Sequence, residues 1–148
     1  KLTELEAKPK VLAMPRKLSV GEMEIETMEG HHPDRTMVYR LSYDGRSIVY
    51  ATDYEVDEAS FERLIAFSRD ADLLLYDAQF TEEEYPGKKG FGHSTAEKGI
   101  ELMEKGGVKR LMLVHHAPSS SDRVLRNREK LLNRTDVLYA REGDTLDV

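Results

Sequence analysis

Apolar positions change their period along the chain, and the changes mark the elements. Residues 1–10 are polar without a period and read as an arm or linker. Val11 to Met14 reads as a short strand stopped by Pro15, and Ser19-Val20-Gly21 as a turn. Glu22 to Thr27 alternates, which predicts a strand with one wet face. Thr36 to Tyr43 is rich in β-formers, Asp44-Gly45 is a hairpin turn signal, and Ile48-Val49-Tyr50-Ala51 follows. Residues 36–52 therefore predict a β-hairpin whose second strand delivers Asp53.

Beyond Asp57, a plausible N-cap, Phe61, Leu64, Ile65 and Phe67 recur at helical spacing and predict an amphipathic helix over about 58–68. Asp72 to Tyr76 is a short continuous apolar strand delivering Asp77. Residues 79–92 carry Pro86, Gly87, Gly90 and Gly92 and read as a loop. Ser94-Thr95-Ala96-Glu97 has capping-box spacing and opens a helix that Gly106-Gly107 ends. Val108 to Val114 predicts a strand delivering His115, and the serines at 119–121 precede a charged helix to about Asn133. Val137 to Ala140 and Thr145 to Val148 predict closing edge strands. Strands first, then strand–helix alternation, give an α/β (α+β) class with a mixed sheet and helices on one face. The polar residues of interest fall just past the carboxyl ends of strands, where open α/β sheets place their sites.

Composition narrows the class. At 148 residues, with 39% hydrophobic and 34% charged residues, the chain can bury one core under a well-charged surface. A net charge of −6 disfavours non-specific nucleic-acid binding but leaves a nucleotide or phosphodiester substrate open, because bound cations would reverse the local potential. With no cysteine there is no thiolate ligand, nucleophile or disulfide. No apolar run approaches a membrane span and no signal segment is visible, so no membrane partner and a cytoplasmic location are expected.

The five histidines cluster in Gly30-His31-His32-Pro33, Gly92-His93-Ser94-Thr95 and Leu113-Val114-His115-His116. His32 beside Pro33, Asp53 after the hairpin and one of His115 and His116 after a buried strand are candidate metal ligands, since of two successive residues at a strand end one points inward and the other away. Each also has a plainer reading: a turn Asp, a surface His. His93 at a helix start suits either a residue with no chemistry or a proton donor or anion-facing group, which Asp77 could orient. Tyr85, Phe91 and the Gly-rich loop suit either ordinary surface or a mobile lid.

Taken in order, these segments resemble the C-terminal half of a metallo-β-lactamase-fold hydrolase, in the ribonuclease Z-like and phosphodiesterase-like branch, from about Ser19 to Pro118. The matching pieces are His32 before Tyr39-Arg40-Leu41, Ile48 to Asp53, Asp77-Ala78-Gln79-Phe80, Gly92-His93-Ser94-Thr95 and Leu113-Val114-His115. The resemblance implies half of an αββα sandwich at residues 19–148, with residues 1–18 an arm. It implies two divalent metal ions in the complete protein, zinc first, with manganese or iron as alternatives. His32 would serve one ion and His115 the other, with Asp53 bridging. It implies phosphodiester or related ester cleavage by a metal-bound hydroxide, with His93 and Asp77 catalytic. The family's H-x-H-x-D-H segment is absent here. A partner half carrying it is expected, along with a small-molecule or nucleotide-type phosphoester substrate. These 148 residues alone are expected to be inactive and either poorly soluble or self-associating through the uncovered sheet face, a homo-oligomer being one outcome. The competing expectation is a catalytically incomplete binding or scaffolding module.

Overall fold

The computed structural model describes residues 15–148. The arm over 1–10 and the strand expected at Val11 to Met14 lie outside them. Seven strands form one sheet in sequential order: β1 (Lys17–Val20), β2 (Met23–Glu29), β3 (Met37–Tyr43), β4 (Arg46–Ala51), β5 (Leu73–Asp77), β6 (Leu111–Val114) and β7 (Val137–Tyr139). The first four pair antiparallel and the last four parallel, β4 belonging to both sets. The connection types dictate this. A two-residue turn joins β3 to β4, with Asp44 and Gly45 both at positive φ (46° and 72°), the geometry that matches strand twist. Parallel pairing instead needs crossovers, supplied by α1 (Glu58–Ser68), α2 (Ala96–Gly106) and α3 (Asp122–Leu132).

The helices share one face of the sheet. Phe61, Leu64 and Ile65 of α1 and Leu102 and Met103 of α2 pack with Val38, Val49, Ala51, Leu74, Tyr76, Leu111, Leu113 and Val137 in one buried cluster. At the closest approach of α2 to the sheet, Gly99 sits so near Tyr76 that a Cβ would lie 2.7 Å from its ring. The opposite face is also apolar: Leu18, Ile25, Tyr39, Leu41, Ile48, Leu73 and Leu75 line an open groove there.

Three expectations are corrected. Lys17–Val20 is a strand, so the sheet begins inside the span expected to be an arm, and only Gly21 and Glu22 turn. Thr95 caps α2, accepting from the Lys98 amide, because Ser94 is buried and accepts from the Tyr76 hydroxyl at 2.8 Å. Residues 145–148 form no strand. Leu146 and Val148 lie in the open apolar groove, so their burial comes from the sheet face and not from its edge.

Candidate active site

Strand ends bring the site together. Asp77, the last residue of β5, is fully buried. Its Oδ2 accepts from the Asp53 amide (2.9 Å), His93 Nδ1 (2.9 Å) and His115 Nδ1 (3.1 Å). Its Oδ1 accepts from the amides of Gln79 (3.2 Å) and Ser94 (3.3 Å). Burial pushes the carboxyl upward, but the His115 and His93 hydrogen bonds outweigh it, and the pKa lies below the usual carboxylate range. Five donors on two oxygens leave Asp77 an orienting anion with little capacity to ligate anything else.

Asp53 and His115 reach it through left-handed backbone. Their φ angles are 52° and 56°, values that cost most non-glycine residues energy and that cluster at functional sites. At Asp53 this kink ends β4 and aims the amide at Asp77, while the Asp53 carbonyl accepts from Thr36 Oγ1 at 3.1 Å. At His115 it swings the ring over the strand ends, placing Nε2 3.7 Å from Asp53 Oδ1. The Asp77 hydrogen bond raises the His115 pKa against the effect of burial. His116 turns away and stacks on Tyr139, ring centroids 5.2 Å apart, and burial lowers its pKa.

His32 comes from the loop between β2 and β3. An Asp34 amide bond at 3.0 Å fixes its Nδ1. Its ring meets His93 edge-on at 5.4 Å, and His93 lies 4.9 Å from His115. One ligand atom each from His32, Asp53 and His93 fall within 4.8 Å of one another, as do those from Asp77, His93 and His115. Asp53 and His93 therefore link His32 to His115 in one contiguous cluster.

This donor set fits a divalent metal. Imidazole nitrogens and a carboxylate suit zinc, manganese or iron. The Asp77 bonds fix the Nδ1 of His93 and His115, leaving each Nε2 for the cleft, which is the orienting role carboxylates play behind metal-binding histidines. The pairing of Asp77 with His115 was not anticipated from the sequence. The sequence signal was present, since Asp77 ends β5 and His115 directly follows β6, the adjacent parallel strand in which Val114 stands opposite Asp77.

Such a sheet, with histidines and carboxylates gathered past its strand ends and helices on one face, is a half-sandwich of the metallo-β-lactamase fold. Residues 3–116 match the family described as "Beta-lactamase superfamily domain", and the chain belongs to it. Ribonuclease Z of Archaeoglobus fulgidus is 34% identical over 99 residues, covering 67% of this chain and 30% of that protein. Ribonuclease Z of Methanosarcina acetivorans is 39% identical over 80 residues, covering 54% of this chain and 25% of that protein. The chain thus spans less than a third of these relatives. Among solved structures, the metallo-beta-lactamase fold protein YhfI of Bacillus subtilis aligns with a TM-score of 0.76 at 23% identity, over 91% of this chain and 53% of that one. A diphosphatase from the PhnP family aligns with a TM-score of 0.67 at 19% identity, over 92% and 47%. These last two likenesses are of fold.

Proposed function

We propose that these residues form the C-terminal half of a metal-dependent phosphodiesterase. The observation that carries this reading is the contiguous cluster of His32, Asp53, His93 and His115 beside a buried Asp77 that holds both His93 and His115. Relatives named ribonuclease Z support the substrate class: a phosphodiester of nucleotide or RNA type.

In this reading His32, Asp53 and His115 would hold divalent metal, zinc first with manganese or iron as alternatives. Ions held there would supply water activation and neutralise phosphate charge. The chain's own residues do the rest. Asp77 accepts from Nδ1 of His93, so the Nε2 that faces the cleft is the position from which a proton passes to the leaving oxygen. The same carboxylate fixes the tautomer of His115. The intact orienting network favours an enzyme over a catalytically incomplete module. The remaining ligands would come from a preceding half carrying H-x-H-x-D-H, whose sheet would cover the apolar groove beside Leu41, Ile48 and Leu75. We place the whole protein in the cytoplasm; among the described residues no helix is long and apolar enough to cross a membrane.

Leaving-group dependence tests the roles. His93→Ala in the full-length protein is expected to slow cleavage of a diester with a basic alkoxide leaving group by about 10²–10⁴-fold, and of an activated aryl diester far less, with metal content retained. Equal losses on both substrates would overturn the acid role. Loss of metal would make His93 a ligand, an alternative its proximity to His32 and Asp53 makes concrete.

A further inference from the structure

Two residues beyond Asp53, Glu55 is buried, only 7% exposed as a residue. Among the described residues no cation pairs with it. An uncompensated buried charge is costly, so its partners matter. They are the Gly90 amide, at 2.8 and 3.0 Å from its two oxygens, the Gly92 amide at 2.9 Å and the Tyr85 hydroxyl at 3.1 Å. Gly90 and Gly92 both hold positive φ (86° and 90°), and their amides converge on the carboxylate as in an anion-binding nest. Burial first, and then the adjoining Glu55 charge, push the Tyr85 hydroxyl up to about 12, so it stays a donor at neutral pH.

The Glu55 backbone grips the other side of the cleft. Its amide donates to the His31 carbonyl at 2.9 Å, and its carbonyl pairs with His31 Nδ1 at 3.0 Å. One residue thus joins the loop bearing His32 to the loop bearing His93. Where the loops meet the fit is tight: a Cβ on Gly92 would lie 1.9 Å from His32 Cδ2. His31, His32, Pro33, Glu55 and Gly90 together wall a pocket of about 320 Å³ beside the site.

We propose that Glu55 is a positioning residue for the hydrolytic site: its carboxylate clamps the 85–92 loop through Gly90, Gly92 and Tyr85, and thereby sets where His32 and His93 stand relative to Asp53. This rests on the hydrolase reading for its kinetic consequence but not for the clamp itself. Glutamine is the informative replacement. It keeps size and shape, but its NH₂ must face the amide of Gly90 or Gly92, donor against donor. Lys88 and Lys89 are already exposed, so trypsin reads the freedom of the loop backbone to unfold into the protease cleft.

The test is Glu55→Gln in the full-length protein at saturating zinc or manganese, read by hydrogen–deuterium exchange of peptides covering 86–93, by trypsin cleavage after Lys88 or Lys89, and by kcat and KM on a phosphodiester. Exchange at Gly90 and Gly92 is expected to quicken about tenfold or more, tryptic cleavage to follow it, and kcat to fall about 10–100-fold with KM within about threefold. A residue that only stabilises the fold would lower the melting temperature and leave kcat of the folded fraction unchanged. Unchanged protection at Gly90 and Gly92 overturns the clamp; a released loop with kcat within twofold overturns the positioning role. Should Glu55→Gln fail to fold, Tyr85→Phe removes one donor and keeps the charge. It is expected to move the same readouts by about threefold, and no movement in either overturns the proposal. If the wild-type protein cleaves no phosphodiester, exchange alone decides the clamp and it is the hydrolase reading that fails.

Discussion

Replacing Asp77 with Asn probes the network from its centre. The amide is isosteric but offers only one oxygen, where five donors now share two. If its NH₂ took the Oδ1 position, it would face the amides of Gln79 and Ser94, neither of which can become an acceptor. At the Oδ2 position it would face the Asp53 amide, which is equally fixed, and Nδ1 of His93 and His115, which are not. An imidazole can move its proton to Nε2 and accept at Nδ1. The second arrangement is therefore preferred, and it leaves Nε2 of one or both histidines protonated toward the cleft. Loss of charge-assisted bonds at ~1.5–3 kcal/mol each, with an unsatisfied amide at ~1–3 kcal/mol and partial relief from the tautomer shift, gives a destabilisation of about 3–5 kcal/mol. Metal affinity should fall about 10–100-fold, because the wrong ring nitrogen is protonated. Denaturant unfolding of the metal-free protein measures the first effect and metal titration the second. An Asp77→Asn protein within about 0.5 kcal/mol of wild type and with metal affinity within threefold would show that Asp77 does not orient the two histidines.

Other perturbations reach further into the fold. Gly99→Ala should lower stability by about 1–3 kcal/mol in thermal unfolding despite better helix propensity, because the new methyl meets Tyr76 at 2.7 Å and Leu111 and Leu113 at 3.3 Å; a gain in stability would show that α2 can shift away from the sheet. Asp72, bonded to Lys109 (2.7 Å), the Ser47 amide (2.8 Å) and Arg46 (3.3 Å), has a pKa lowered to about 2, the Lys109 contact being the largest cause. A depressed carboxylate contributes stability above its unfolded pKa of about 3.9 and loses it as pH falls through the folded value. The stability gap between wild type and Asp72→Asn should therefore be constant above about pH 5 and close between about pH 4 and 2; a gap that widens on acidification contradicts the assignment. Gly92→Ala should weaken metal binding at least tenfold by displacing His32, as isothermal titration would show.

Local signals were legible wherever chemistry is local. Asp44-Gly45 supplied the positive φ pair of the hairpin, and Asp57 with Ser60 forms the capping box that starts α1. What failed depended on distant partners. Ser94 looked like the cap of α2 because nothing in the sequence shows that Tyr76 claims its hydroxyl. Lys17–Val20 gave no strand signal because this short edge strand is largely exposed and takes its register from β2. Thr145 to Val148 has β-forming residues, yet β7 carries no eighth strand and its apolar side chains turn onto the sheet face. The same division runs through the site. Asp53, Asp77 and His115 were visible because each follows an apolar run at a strand end. The role of Glu55 was not, because its partners are backbone amides of a loop, and only the Gly90-x-Gly92 spacing hinted at them.

Asp53, with His32 and His115, is proposed to hold divalent metal in the complete protein. Metal content per chain, measured by inductively coupled plasma mass spectrometry on the natural full-length protein and on its Asp53→Ala and His116→Ala variants, tests it most directly. Two divalent ions per chain are expected in wild type and in His116→Ala, and one or none in Asp53→Ala. Wild-type protein without stoichiometric metal, or Asp53→Ala retaining both ions, would contradict it.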